Sequence, residues 1–84
     1  MKFCGIDLHS NNSAVVIADE ADRVLVSRRC PNDLTKIIQL LDPHRAELAG
    51  VVVESTYNWY WLVDGLKDAG FDEINGVRVI DFAA

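Results

Sequence analysis

The opening residues restrict the fold more than any other part of the chain. Lys2-Phe3-Cys4-Gly5-Ile6-Asp7-Leu8 is a short apolar run, interrupted by Gly5 and ended by Asp7 and His9. Such continuity predicts a strand buried on both faces, in the middle of a sheet. Its neighbours have to come from the residues after it. His9-Ser10-Asn11-Asn12 is a turn cluster, Ser13 to Ala18 is β-branched and strand-like, Asp19-Glu20-Ala21-Asp22 is a polar turn, and Arg23 to Arg29 reads as a third strand. Three strands with short polar connections make an antiparallel meander.

The pattern then changes period. Pro31-Asn32-Asp33 supplies a break and an N-cap, after which Leu34, Ile37, Ile38 and Leu41 form one stripe of an amphipathic helix that Asp42-Pro43 stops. Leu48 to Glu54 is an apolar strand closed by a carboxylate. Ser55 or Thr56 can cap a second helix, whose stripe is Trp59, Leu62, Val63 and Leu66 and whose end is marked by Gly70. Gly76 to Phe82 reads as a fifth strand. The order βββαβαβ predicts an α/β fold, a mixed sheet with helices packed on it. Placing strand four beside strand one and parallel to it gives the core of the RNase H-like (RuvC-like) fold.

A chain of 84 residues provides one small domain, and 50% hydrophobic with 25% charged residues excludes a disordered one. Cys4 and Cys30 are far apart, with no C-x-x-C and no histidine pair nearby, so neither a zinc site nor a disulfide framework is indicated. Both fall in strand-like stretches, where cysteine acts as a small buried hydrophobe. A cytoplasmic, reducing location fits. Asp7 comes too early for a signal peptide, and no apolar run is long enough to span a membrane. The net charge of −5 is awkward for a nucleic-acid partner, because phosphate binding relies on Lys and Arg. An acidic metal site accounts for part of it, since bound divalent ions reverse the local sign.

Asp7 near the end of strand one and Glu54 at the end of strand four carry the chemistry. On parallel neighbours, both carboxylates emerge at the carboxyl edge of the sheet, where ligands of α/β proteins bind. Two carboxylates that close repel unless one takes a proton or a divalent cation joins them. Mg²⁺ (or Mn²⁺) prefers oxygen ligands and keeps waters, as phosphodiester hydrolysis requires. Gly5 shares the face of Asp7 and leaves room for a substrate backbone. The plainer reading is an Asp that forms a turn and a Glu that favours the next helix's N-terminus.

Gly5-Ile6-Asp7-Leu8-His9-Ser10 and Val51-Val52-Val53-Glu54-Ser55-Thr56-Tyr57-Asn58-Trp59-Tyr60-Trp61-Leu62 together resemble the first two motifs of the DEDD transposases, which include the pilin-gene-inverting recombinases. The resemblance covers about residues 3 to 71. It implies an N-terminal RuvC-like catalytic domain, divalent-metal dependence, a DNA substrate and, in some members, a guide RNA. Asp7 and Glu54 match the first two acids of the motif. The family's later aspartates and its serine-bearing C-terminal domain have no counterpart here, and Asp72 and Asp81 match no motif. By this reading the chain is a truncated transposase or recombinase domain with a divergent tail at 72–84, inactive on its own.

The remaining candidates have plainer roles. His9 reads as a structural or solvated turn residue, and Ser55 and Thr56 as caps. Trp59 reads as core, while Tyr60 and Trp61 lie off the main stripe and could meet a partner surface. Arg28 and Arg29 could contact phosphate, against the ordinary reading of a solvated strand end. The alternative function is a non-catalytic remnant that only folds, dimerises or binds. Strands three and five, as sheet edges, favour a homodimer or a swapped tail that buries Val77 to Phe82. An actin-like phosphate-binding domain ranks last, because Leu8-His9-Ser10-Asn11-Asn12 is not the glycine-rich turn that class uses.

Overall fold

A computed structural model describes residues 1–55 and 59–71, together with the backbone of 77–81. Strand β1 (Lys2–Leu8) occupies the centre of a five-stranded mixed sheet of order β3-β2-β1-β4-β5. β2 (Asn12–Asp19) pairs antiparallel with β1, and β3 (Val24–Pro31) pairs antiparallel with β2. β4 (Leu48–Ser55) and β5 (Val77–Asp81) continue the other half as parallel strands. The helices are α1 (Leu34–Leu41) and α2 (Tyr60–Asp68), and a 3-10 helix (Asp42–Glu47) leads into β4. The α/β class and the βββαβαβ order are those the sequence predicts.

Strand β1 departs from its expected burial. It is central, but only Cys4, Ile6 and Leu8 are buried, while Phe3, Gly5 and Asp7 are exposed. Both helices lie on the first of these faces: Ile37 and Leu41 of α1 and Leu62, Val63 and Leu66 of α2 share one core with Cys4, Ile6, Leu8, Val15, Ile17, Val51 and Val53. The opposite face carries Phe3, Gly5 and Asp7, and no described helix packs on it. Burying one large aliphatic side chain of this core contributes about 1.5–3 kcal/mol, so the helix face supplies most of the stabilisation.

Local chemistry sets the boundaries. β3 begins after Arg23 because that residue completes the turn: its backbone N–H and its Nε both bond the Asp19 carboxylate, at 3.0 and 2.8 Å. Asp22 takes a left-handed φ of 62° to close the same turn. Asp33 caps α1, accepting from the N–H groups of Thr35 and Lys36. The α-helix ends at Leu41, but the chain tightens into the 3-10 helix with Pro43 in its first positions instead of turning away at once. The expected capping of α2 is corrected. Ser55 is the last residue of β4 and 3% exposed, and the helix starts from Trp59 without a side-chain cap. Thr56 lies outside the described residues. Gly70 follows the helix with φ 93°, the left-handed end the sequence predicts. Arg45 lies 4.1 Å over the buried Phe71 ring, tying this end of the chain to the 3-10 helix.

Candidate active site

Parallel pairing of β1 with β4 fixes where the two acids stand. The register runs Gly5↔Val52, Ile6↔Val53, Asp7↔Glu54, so Asp7 and Glu54 are direct partners on adjacent strands. Alternation along each strand puts both on the open face, because Ile6, Leu8, Val53 and Ser55 are taken by the core. A depression of about 260 Å³ lies there, lined by Gly5, Ile6, Asp7, Ala14, Val16 and Glu54. Its base is built of small groups: Ala14 is the β2 partner of Asp7, and Gly5 lies between Val16 and Val52. A Cβ at Gly5 would meet nothing within 4 Å, so the depression is open above that residue.

His9 joins the pair. Its Nε2 is 3.2 Å from Asp7 Oδ2, and both side chains are about half exposed. The structural or solvated turn residue expected from the sequence is what His9 is, with Asp7 as its partner, and the alternation of residues 5, 7 and 9 along one face is the signal for that contact. The turn itself is held in three places. His9 N–H donates to Asn12 O at 2.9 Å, Asn32 Nδ2 donates to His9 O at 2.7 Å, and Ser13 Oγ donates to Asn32 Oδ1 at 2.6 Å.

The donor set suits a hard, hydrated cation. Mg²⁺ binds through one or two carboxylates and retains several waters. Two carboxylates above an open depression of small residues match that demand. Among the described residues no group of three or more His, Cys, Asp or Glu side chains could hold a metal ion, so a second ion would need ligands from elsewhere.

The other candidates divide. Arg29 is the β3 partner of Ala14 and therefore on the open face, with Nη1 2.9 Å from Asn12 Oδ1, whereas Arg28 pairs with the buried Val15. Trp59 and Trp61 pack against the core, and Tyr60 is exposed but stacks on Trp59 with ring centroids 4.1 Å apart. Tyr57 lies outside the described residues. Cys4 and Cys30 are free and buried, and burial pushes the Cys4 thiol up to about 12. No described helix is long and apolar enough to cross a membrane.

Known proteins share this architecture. The model of the IS110-type DEDD transposase family, described as a transposase, matches residues 4–79. No curated protein matches the chain. Among solved structures, the fowlpox virus Holliday junction resolvase superposes with a TM-score of 0.64 at 16% identity, covering 96% of this chain and 62% of the resolvase. The Aquifex aeolicus PPX-GPPA enzyme gives 0.50, also at 16% identity, with 96% of this chain and 36% of the other covered. At such identities the likeness is one of fold, and it is the RuvC-like fold that the element order predicts.

Proposed function

The chain belongs to the DEDD transposase family, and on that premise we propose that it is a catalytic-domain segment of a metal-dependent DNA transposase or site-specific recombinase, acting in the cytoplasm. Asp7 and Glu54 are the residues that would hold a divalent ion, Mg²⁺ or Mn²⁺. When bound, that ion supplies charge neutralisation at a phosphodiester oxygen and activation of water. The chain's own residues supply the setting. Asp7 and Glu54 present their carboxylates from neighbouring strand ends, His9 contacts the Asp7 carboxylate from one side, and Gly5 and Ala14 keep the depression clear of bulky side chains, leaving room for a DNA backbone.

The observation that supports this reading most is the direct Asp7↔Glu54 register on parallel strands, facing away from the core. Its test is a Mn²⁺ titration of the chain monitored by electron paramagnetic resonance. Binding is expected for the intact chain and lost on Asp7→Asn or Glu54→Gln. Equal binding by both variants would remove the basis for the reading.

A second reading, a folded module that dimerises or binds without catalysis, is favoured by one observation. β3 stands at an edge of the sheet with Val24 and Leu25 exposed, and edges of that kind invite pairing. Light scattering over a wide concentration range decides it: a persistent monomer counts against the dimer.

A further inference from the structure

Polar side chains cross the open face of the sheet from its acidic pair to its edge. From Glu54 on β4 and Asp7 on β1, the line passes His9 and Asn12 at the β1–β2 turn and ends at Arg29 on β3. The geometry points to Arg29 as a phosphate-binding residue for the nucleic-acid strand that reaches Asp7 and Glu54, with Asn12 as its positioning partner. This rests on the metal-site reading of those two acids.

Three observations carry it. First, the sheet separates two adjacent arginines. Arg29 pairs with Ala14, which itself pairs with Asp7, so arginine and aspartate share one row on one face; Arg28 pairs with Val15 and faces the helix side. Second, Arg29 is held in place without being neutralised. Asn12 Oδ1 accepts from Nη1, whereas Arg23 and Arg45 are paired with Asp19 and Asp42, and no carboxylate of the described residues pairs with Arg29. A guanidinium has five N–H donors, so one anchored donor leaves the fork available for a phosphate. Third, the spacing suits a phosphodiester chain. Arg29 and Asp7 are two strands apart, roughly 10 Å between backbones, with only the Ala14 methyl between them on that face. A strand lying there meets cation at one end and metal-holding acids at the other. Positive charge at this corner also offsets the approach of DNA to a chain of net charge −5.

The experiment uses fluorescence anisotropy of a labelled four-way DNA junction with the 84-residue chain at low ionic strength and with Mg²⁺ present. Arg29→Ala is expected to weaken binding roughly tenfold, the loss of one charge-assisted contact, and to reduce the salt slope by about one. Arg28→Ala leaves the affinity near that of the intact chain. Asn12→Ala, which keeps the charge but frees it, gives an intermediate loss, as does Arg29→Lys. Equal losses for Arg28→Ala and Arg29→Ala would overturn the inference, leaving only bulk charge. So would unchanged binding by Arg29→Ala, or no binding by the intact chain. The Mn²⁺ titration separates this failure from that of the metal site: metal held by Asp7 and Glu54 with an inert Arg29 sinks the phosphate contact alone, and no metal binding sinks the reading beneath it.

Discussion

The Ser13 hydroxyl, which solvent does not reach, donates a 2.6 Å hydrogen bond to the Asn32 side-chain oxygen. Through its amide, Asn32 then holds the carbonyl of His9, so a residue at the start of β2 and one between β3 and α1 jointly set the turn that brings His9 to Asp7. Ser13→Ala should lower stability by about 1–2 kcal/mol, the effect of one lost buried hydrogen bond. Urea denaturation reads it as a lower midpoint at unchanged slope. A variant as stable as the intact chain would mean the bond contributes nothing.

Cys4 supplies a prediction at high pH. Its thiol ordinarily titrates near 9.0, and burial moves it to about 12 in the folded chain. Between those values the unfolded chain releases the proton and the folded chain keeps it, so this contribution to stability is complete below 9 and declines as pH rises towards 12. Cys4→Val should therefore flatten the alkaline fall in melting temperature over that window. The same burial predicts that a thiol-specific reagent leaves Cys4 unlabelled until the chain unfolds.

The helices offer a contrast between cap and core. Asp33→Ala removes the acceptor for two α1 N–H groups and should cost about 1 kcal/mol. Leu66→Ala empties a fully buried position and should cost about 2–5 kcal/mol. A chain of this size has roughly 4–12 kcal/mol in total, so the second change should leave a substantial unfolded fraction at room temperature and the first should not. Circular dichroism against temperature separates the two.

The intact chain should not nick supercoiled plasmid DNA in Mn²⁺ at a rate above that of its Asp7→Asn variant. Two in-line oxygens must be positioned during phosphodiester cleavage, and the two carboxylates that the described residues bring together, with waters, are too few ligands to order a pair of ions. Robust nicking by the intact chain, lost on Asp7→Asn, would show that the site is complete.

Much of this architecture was legible in the sequence because period and punctuation agreed. The helical stripe from Leu34 to Leu41, the Asp33 cap, the left-handed Gly70 and the parallel neighbours that carry Asp7 and Glu54 one residue before their ends all follow rules that other tertiary contacts did not override. The errors have a common origin in contacts remote in sequence. Strand β1 looked buried on both faces because Phe3 carries its apolar run onto the second face, and only the placement of both helices on one side exposes that residue. Ser55 looked like a cap, yet β4 extends to include it and α2 begins at Tyr60. Arg29 drew little weight because its partner Asn12 lies across the β2–β3 hairpin and depends on its register.

The one-sided packing of the sheet also acts as an error check on the site. A strand slipped by one residue exchanges its faces. For β1 that would bring Asp7 and Gly5 under the helices and send Ile6 and Cys4 into water; for β4 it would bury Glu54 in place of Val53. Burying an unpaired carboxylate costs several kcal/mol, in addition to the apolar burial forfeited. The misregistered chains are therefore the ones least able to stay folded, and any chain that does fold presents its two acids together at the surface.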